Sequence, residues 1–379
     1  MKKFLGVVIF VFFVLLVAGC KRNTVPDLVE HQDVNVENKI VNIQFASWGS
    51  KTEVDVLRSV IKDFELKNPE IKIEFIHIPQ NYFQKLHLLF ASNHAPDVIF
   101  INNQYLPIYA NAGMLEPIKY NQSLYDEKII NALSWNDRRY AVPRDISLLV
   151  IYYNKDLFDK ADVDYPKSGW SQKQMIKKAL KIKKRTDAFG ISFEEEPLFY
   201  LPYVMSEGGT FFDLEDKKTQ KGLKNYADLR KKHEIAPTRA DIGSATMAQM
   251  FLQGKIAMHL SGRWLTPMYT QSAKFDWDIV EFPAGSNGAT VPLDASGWAL
   301  AKSSKHQEEA LRFIYYLASR ESIKSFVKTG LIIPARNDVE FSDSEVYLRV
   351  LENAQPTPVS VDYNRVLDRL KIKLEKTFN

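Results

Sequence analysis

From Val41 onward the chain alternates strand-like and helix-like hydrophobic periods, and this alternation restricts its fold more than any other feature. Val41-Asn42-Ile43-Gln44-Phe45 is apolar at every second position, the period of a strand. Val54, Leu57, Ile61 and Phe64 then recur at the spacing of one helix face, opened by the capping box Ser50-x-x-Glu53 and closed by Asn68-Pro69. Ile71 to Phe75 is a second strand. Tyr82, Phe83, Leu86, Leu89 and Phe90 mark a second helix, and Pro96 to Phe100 a short buried strand. This βαβαβ opening predicts an α/β fold with a largely parallel sheet covered by helices. Further strands are expected at Ser147–Tyr153, Ile256–Leu260 and Ser296–Ala301. Further helices are expected after Ser171-x-x-Gln174 and Ser304-x-x-Gln307, at Leu223–Lys231 and Ala245–Leu252, and last at Asp362–Phe378.

The 379 residues suffice for two domains of roughly 150 residues each. Net charge is only +4, with Lys2 and Lys3 among the cations, which argues against general nucleic-acid binding. The basic run Lys177 to Arg185 falls on a helix and reads as a solvated face. The amino terminus is more telling. Met1-Lys2-Lys3 precedes an apolar run from Phe4 to Val17, too short for a membrane span, and Val17-Ala18-Gly19-Cys20 follows. This resembles a bacterial lipoprotein signal, with residues 1–19 removed and Cys20 acylated. Cys20 is the only cysteine, so no intramolecular disulfide forms. Residues 20–39 are polar and without period, a tether that spans at most about 65 Å.

Several motifs in fixed order carry a resemblance over about Val41 to Leu351. They include Phe64-Glu65-x-Lys67-Asn68-Pro69, Ala95-Pro96-Asp97-Val98, Gly113-Met114-Leu115-Glu116-Pro117 and Tyr140-Ala141-Val142-Pro143. Tyr152-Tyr153-Asn154-Lys155, Gly169-Trp170-Ser171, Gly254-Lys255-Ile256-Ala257-Met258, Ser261-Gly262-Arg263-Trp264 and Ser296-Gly297-Trp298 follow. The chain resembles the extracellular solute-binding proteins of the maltose-binding-protein type. That resemblance implies the two-lobed periplasmic-binding-protein fold, with three interlobe crossovers and a ligand cleft between lobes. The crossings are expected near 145–148, 294–296 and 317–321. Lobe one would hold 40–146 and 297–318, and lobe two 147–296 and 319–379. The chain ends soon after its last helix, where many relatives continue.

A sugar offers apolar C–H faces, which stack on aromatic rings, and a rim of hydroxyls, which suit charged or amide groups. The ligand-binding candidates at strand ends and crossings are Trp48, Asp97, Asn102, Asn103, Gln104, Asp145, Trp264, Trp298 and Arg336. Trp170 and Trp277 read as packing residues. Gly254-Lys255 lacks the remaining glycine and hydroxyl of a phosphate loop, so nucleotide hydrolysis belongs to another subunit. The seven histidines lack metal-ligand spacing, and no Gly-x-Ser-x-Gly occurs. No catalytic residue, metal or cofactor is expected. The function so implied is that of a monomeric, exported, lipid-anchored substrate-binding subunit of a bacterial ABC importer. It would capture a mono- or oligosaccharide for transmembrane permease subunits and a separate ATPase subunit, facing the periplasm or cell exterior. The alternatives are a binder of glycerol-3-phosphate or another polyol phosphate, a glycosidase-like enzyme, and a surface lipoprotein for adhesion or sensing.

Overall fold

A computed structural model of the chain describes residues 40–210 and 212–378. The signal segment, Cys20 and the tether lie outside the described residues. The opening runs β1 (Val41–Ser47), α1 (Lys51–Lys67), β2 (Ile71–His77), α2 (Tyr82–Ala91), β3 (Val98–Asn102) and α3 (Leu106–Asn111). β1 pairs in parallel with β2 and β3, and its alternate residues Ile43 and Phe45 are buried in the core. α1 keeps Leu57 and Phe64 fully buried, as its apolar spacing requires.

The chain continues through α4 (Glu127–Ala132), β4 (Ala141–Ser147), β5 (Leu149–Asn154), α5 (Gln172–Arg185), α6 (Lys217–Lys231), β6 (Met258–Gly262), α7 (Thr266–Ser272), β7 (Trp277–Glu281) and β8 (Pro292–Ala301). Last come α8 (Gln307–Leu317), α9 (Arg320–Val327), β9 (Ile333–Pro334), α10 (Ser344–Asn353) and α11 (Tyr363–Phe378). The larger sheet runs β9-β4-β8-β3-β1-β2, with Leu115–Glu116 and Gln355–Pro356 added on β8. It is mixed rather than largely parallel, because β8 inserts antiparallel between β3 and β4. A buried strand shows its burial in its sequence but not its direction, so parallel pairing holds for β1, β2 and β3 and, beyond them in this sheet, only for Gln355–Pro356 on β8. The smaller sheet, β7-β5-β6, is antiparallel throughout.

The expected strand Ser147–Tyr153 divides between the two sheets. Residues up to Ser147 pair in the larger sheet and those from Leu149 in the smaller, so Leu148 alone separates them. The chain returns to the larger sheet between Glu281 and Pro292. It does not leave again at 317–321, where the third crossing was expected. α8 and α9 both pack on α1, and β9 pairs with β4. Phe326 of α9 meets the Trp298 ring at 6.4 Å, which ties residues 319–334 to the larger sheet. Only α10, against β7, and α11, against α6, return to the smaller sheet's side.

Helix starts show how local signals are shared with tertiary partners. Ser171 and Gln174 form a complete capping box on α5. Ser50 caps α1 by accepting from Glu53 N, but the Glu53 carboxylate turns instead to Arg144. Ser304 does not cap α8: its hydroxyl donates to Asp97 Oδ1 at 2.6 Å, and the helix begins after His306.

Candidate functional site

Trp48 leaves the carboxyl end of β1 and is held edge-on by Tyr82, Phe83 and Phe100, at ring-centroid distances of 5.5, 5.2 and 4.9 Å. Trp264 leaves the carboxyl end of β6. Its indole lies across the α-carbon of Gly262, so close that a Cβ there would stand 1.9 Å from Cζ3. Both indoles are half-buried. They share a cavity of about 190 Å³ whose walls include Arg144, Asp145, Ser296 and Ile333. One wall thus comes from the larger sheet's strands and the other from the loop after β6.

The charge in this cavity is organised around Arg144. It is 3% exposed, its Nε donates to Asp145 Oδ1 at 2.7 Å, and its Nη1 donates to Glu53 Oε1 at 2.5 Å. The guanidinium also lies 4.4 Å from the Phe100 ring centroid and 5.4 Å from that of Trp298. Burial works against its charge, but the two carboxylates more than offset this and keep it protonated. Burial pushes the Asp145 carboxyl up, while Arg144 pulls the other way. Arg263, also 3% exposed, donates to Ser342 Oγ at 2.8 Å and Asp343 Oδ2 at 3.3 Å.

The structure brings Trp48, Asp145 and Trp264 together at the cavity and places the other expected site residues elsewhere. Trp298 is fully buried in the core, between Phe45 and Phe100. Asp97 stands at the amino end of β3, away from the strand ends that carry the cavity, and accepts from Gln44 N at 2.8 Å and from Ser304. Asn102 accepts from Tyr105 N within a turn. Asn103 and Gln104 both donate to Asp294, at 3.2 and 3.0 Å, and so fasten β3 to the start of β8. Arg336 forks onto Asp338 at 2.8 and 2.7 Å and donates to Ala318 O. It lines a neighbouring, mostly apolar cavity of about 340 Å³, which shares Ile146 and Ile333 with the first.

Glu53 and Arg144 were not anticipated. Glu53 looked like half of a capping box. Arg144, beside Asp145 in a strand otherwise apolar from Ala141 to Ile146, was the one available signal, since an arginine there must face a buried partner. Among the described residues no group of three or more His, Cys, Asp and Glu is placed to hold a metal ion.

Comparison with known proteins gives these features a context. The galactooligosaccharide-binding protein of Bacillus subtilis is 22% identical over 353 residues, covering 84% of this chain and 80% of that protein. An ABC substrate-binding protein from Listeria monocytogenes, solved in complex with cycloalternan, superposes with a TM-score of 0.81 at 25% identity, over 90% of this chain and 94% of that one. The GacH receptor of Streptomyces glaucescens, solved unliganded and with acarbose, gives 0.80 at 22% identity, over 89% and 93%. The fold is therefore the two-lobed one of sugar-binding proteins from bacterial importers, with the cavity between the two sheets' lobes. Residues 48–324 match the model of one family over most of the chain, and the protein belongs to the bacterial extracellular solute-binding proteins.

Proposed function

We propose that this protein captures a carbohydrate in the cleft and delivers it to the permease subunits of an ABC importer, whose ATPase is a separate subunit. The observation that carries this reading is the pairing of two half-buried indoles, Trp48 and Trp264, on one cavity with the Glu53–Arg144–Asp145 cluster. Indoles match the C–H faces of a pyranose, and a fixed carboxylate and guanidinium match its hydroxyls. The sugar ligands named for the Bacillus, Listeria and Streptomyces proteins support the same class. A ligand touching both lobes favours the closed state through contacts available only there.

The protein acts as a binder and not as an enzyme in this reading. Glycoside hydrolysis needs two carboxyl groups facing each other across the scissile bond, whereas Glu53 and Asp145 grip one guanidinium. A phosphate ligand is disfavoured because Arg263 and Arg336 both have protein partners. Among the described residues no helix is long and apolar enough to cross a membrane, and attachment is assigned to acylation of Cys20 on an exported monomer. Isothermal titration with neutral saccharides and with glycerol-3-phosphate tests the ligand class. Saccharide binding that weakens in Trp48→Ala and Trp264→Ala is expected; binding of the phosphate alone would overturn the carbohydrate reading. Labelled fatty acid should enter the wild type and not Cys20→Ala, and equal labelling would overturn the anchor.

A further inference from the structure

Helix α5 carries a charge that the cleft does not use. Its 14 residues hold seven cations and no acid. Three of the cations are committed. Lys178 donates to Asp164 O at 2.6 Å, Lys183 to Glu234 O, and Arg185 to Ala161 O at 2.6 Å while pairing with Asp162. Lys173, Lys177, Lys181 and Lys184 are exposed and make no hydrogen bond or ion pair among the described residues. Their spacing puts them on one helix face, opposite Met175, Ala179 and Ile182, which are fully buried. Leu180 lies among them with 43% of its surface exposed. None of these residues lines the cavity at Trp48 and Trp264.

Helix stability does not account for this face. Cations in the last turn suit the helix dipole, which covers Lys183, Lys184 and Arg185. Lys173 stands in the first turn, where the dipole opposes a cation, and Lys173–Lys177 and Lys177–Lys181 are like-charged pairs four residues apart, which weaken a helix. The acids Asp159, Asp162 and Asp164 line a cavity on the flank marked by Gln174 and Lys178, not the outward face. Nor is the charge a property of the whole chain. Without residues 1–19, which include Lys2 and Lys3, the net charge is 4 − 2 = +2. The four free lysines thus concentrate positive charge on one exposed face of a nearly neutral body, around an exposed apolar side chain.

We infer that the outward face of α5 docks on a membrane surface rich in anionic phospholipid, with the four lysines at the phosphates and Leu180 entering the headgroup layer. The choice of occupant rests on the acylation of Cys20 proposed above. Residues 20–39 span at most about 65 Å, so the bilayer is always within that distance of the amino end of β1. A polybasic surface is the second signal that turns a loose lipid attachment into a fixed one. Gln172 N donates to Ala284 O just past β7, so docking through α5 holds the smaller sheet's side of the molecule at the bilayer.

The test is sedimentation of the unacylated chain from residue 20, carrying Cys20→Ala, with lipid vesicles. Ile40–Asn379 is one compact unit, so the loss of residues 1–19 leaves the fold intact. Binding is expected to vesicles of phosphatidylglycerol and phosphatidylcholine in equal parts and not to phosphatidylcholine alone. It should be lost in about 1 M NaCl, where the screening length falls to about 3 Å. Replacing Lys173, Lys177, Lys181 and Lys184 together by glutamine should weaken partitioning at least about a hundredfold, with an unchanged unfolding midpoint. Leu180→Ala should weaken it about three- to tenfold. A control that replaces the exposed Lys62, Lys85, Lys305 and Lys371 removes the same charge and should weaken it far less. Absence of binding to the anionic vesicles, or an equal loss in the control, would overturn the docking face. Retention on polyglutamate without sedimentation on phosphatidylglycerol would give the face to an acidic protein and overturn the membrane. Because the chain tested carries no acyl group, failure here is distinct from failure of the Cys20 labelling.

Discussion

Replacing Gly262 by alanine tests how the candidate site holds its key ring. Gly262 has φ −102°, a conformation alanine adopts freely, so the backbone itself is not strained. The obstacle is the Trp264 indole, with Cζ3 at 1.9 Å and both Cε3 and Cη2 at 2.3 Å from the added Cβ. Carbon atoms sit about 3.5 to 4.0 Å apart at rest, so the ring must move by roughly 1.5 to 2 Å. The loss this causes is bounded by Trp264→Ala. An indole buries about 150 to 250 Å² in full, and a sugar covering a third of it contributes roughly 1 to 2 kcal/mol at about 25 cal/mol per Å². Stacking adds about 0.5 to 1.5 kcal/mol. Trp264→Ala should therefore weaken binding about ten- to a few hundredfold, with Gly262→Ala falling between about threefold and that value. Calorimetry and thermal unfolding on the single and double variants decide the matter. If Gly262 acts through the ring, its substitution has no further effect on affinity once Trp264 is alanine. If the ring cannot move, overpacking of about 1 to 3 kcal/mol should lower the unfolding midpoint instead. Additive losses in the double variant, or an alanine at 262 that leaves both affinity and midpoint unchanged, would refute the argument.

Three further outcomes follow from the packing. Arg144→Ala leaves Glu53 and Asp145 facing each other without their buried cation and should cost about 3 to 5 kcal/mol in urea unfolding; a loss under about 1 kcal/mol would mean that water enters the cluster freely. The hydrogen bonds from Arg336 hold the Asp338 carboxyl below the usual range, so this pair's contribution is present above about pH 4 and is lost as pH falls through the depressed value. Asp338→Asn should therefore flatten that acid limb of the stability profile, and an unaltered limb would rule the pair out as its source. Phe378, 1% exposed among Phe193, Tyr200 and Tyr226, anchors α11, and Phe378→Ala should cost about 3 kcal/mol by thermal unfolding; an unchanged midpoint would show that the last turn is dispensable.

Periodicity found most of the elements, because they depend on local spacing, whereas the cleft was implied by the resemblance of the ordered motifs and not by any period. Trp48 and Trp264 were legible as aromatic residues just past strand ends, and Asp145 as a carboxylate next to a change of sheet. The remaining polar candidates looked equally suitable by the same rule, but Asp97, Asn103 and Gln104 have partners far away in sequence, and Asn102 and Arg336 are held within their own loops. Asn103 and Gln104 meet Asp294, Asp97 meets Ser304, and Arg336 turns to Asp338 and Ala318. No local pattern distinguishes an amide that awaits a ligand from one that fastens two strands. Trp298 failed for the opposite reason: an indole beside a crossing can point either way, and here it points into the core. Strand direction and the third crossing were likewise matters of tertiary pairing.

The run from β4 into β5 gives the site a mechanical character. Arg144, Asp145, Ile146 and Ser147 line the inner cavity, and one residue later the same backbone belongs to the other sheet. The floor of the candidate pocket is thus also the covalent link between the two sheets. A substitution among these four residues therefore alters the cavity wall and the link between the sheets together. Trp48 and the start of α2 lie off that link. Side chains there can change without touching the link, whereas the inner wall cannot.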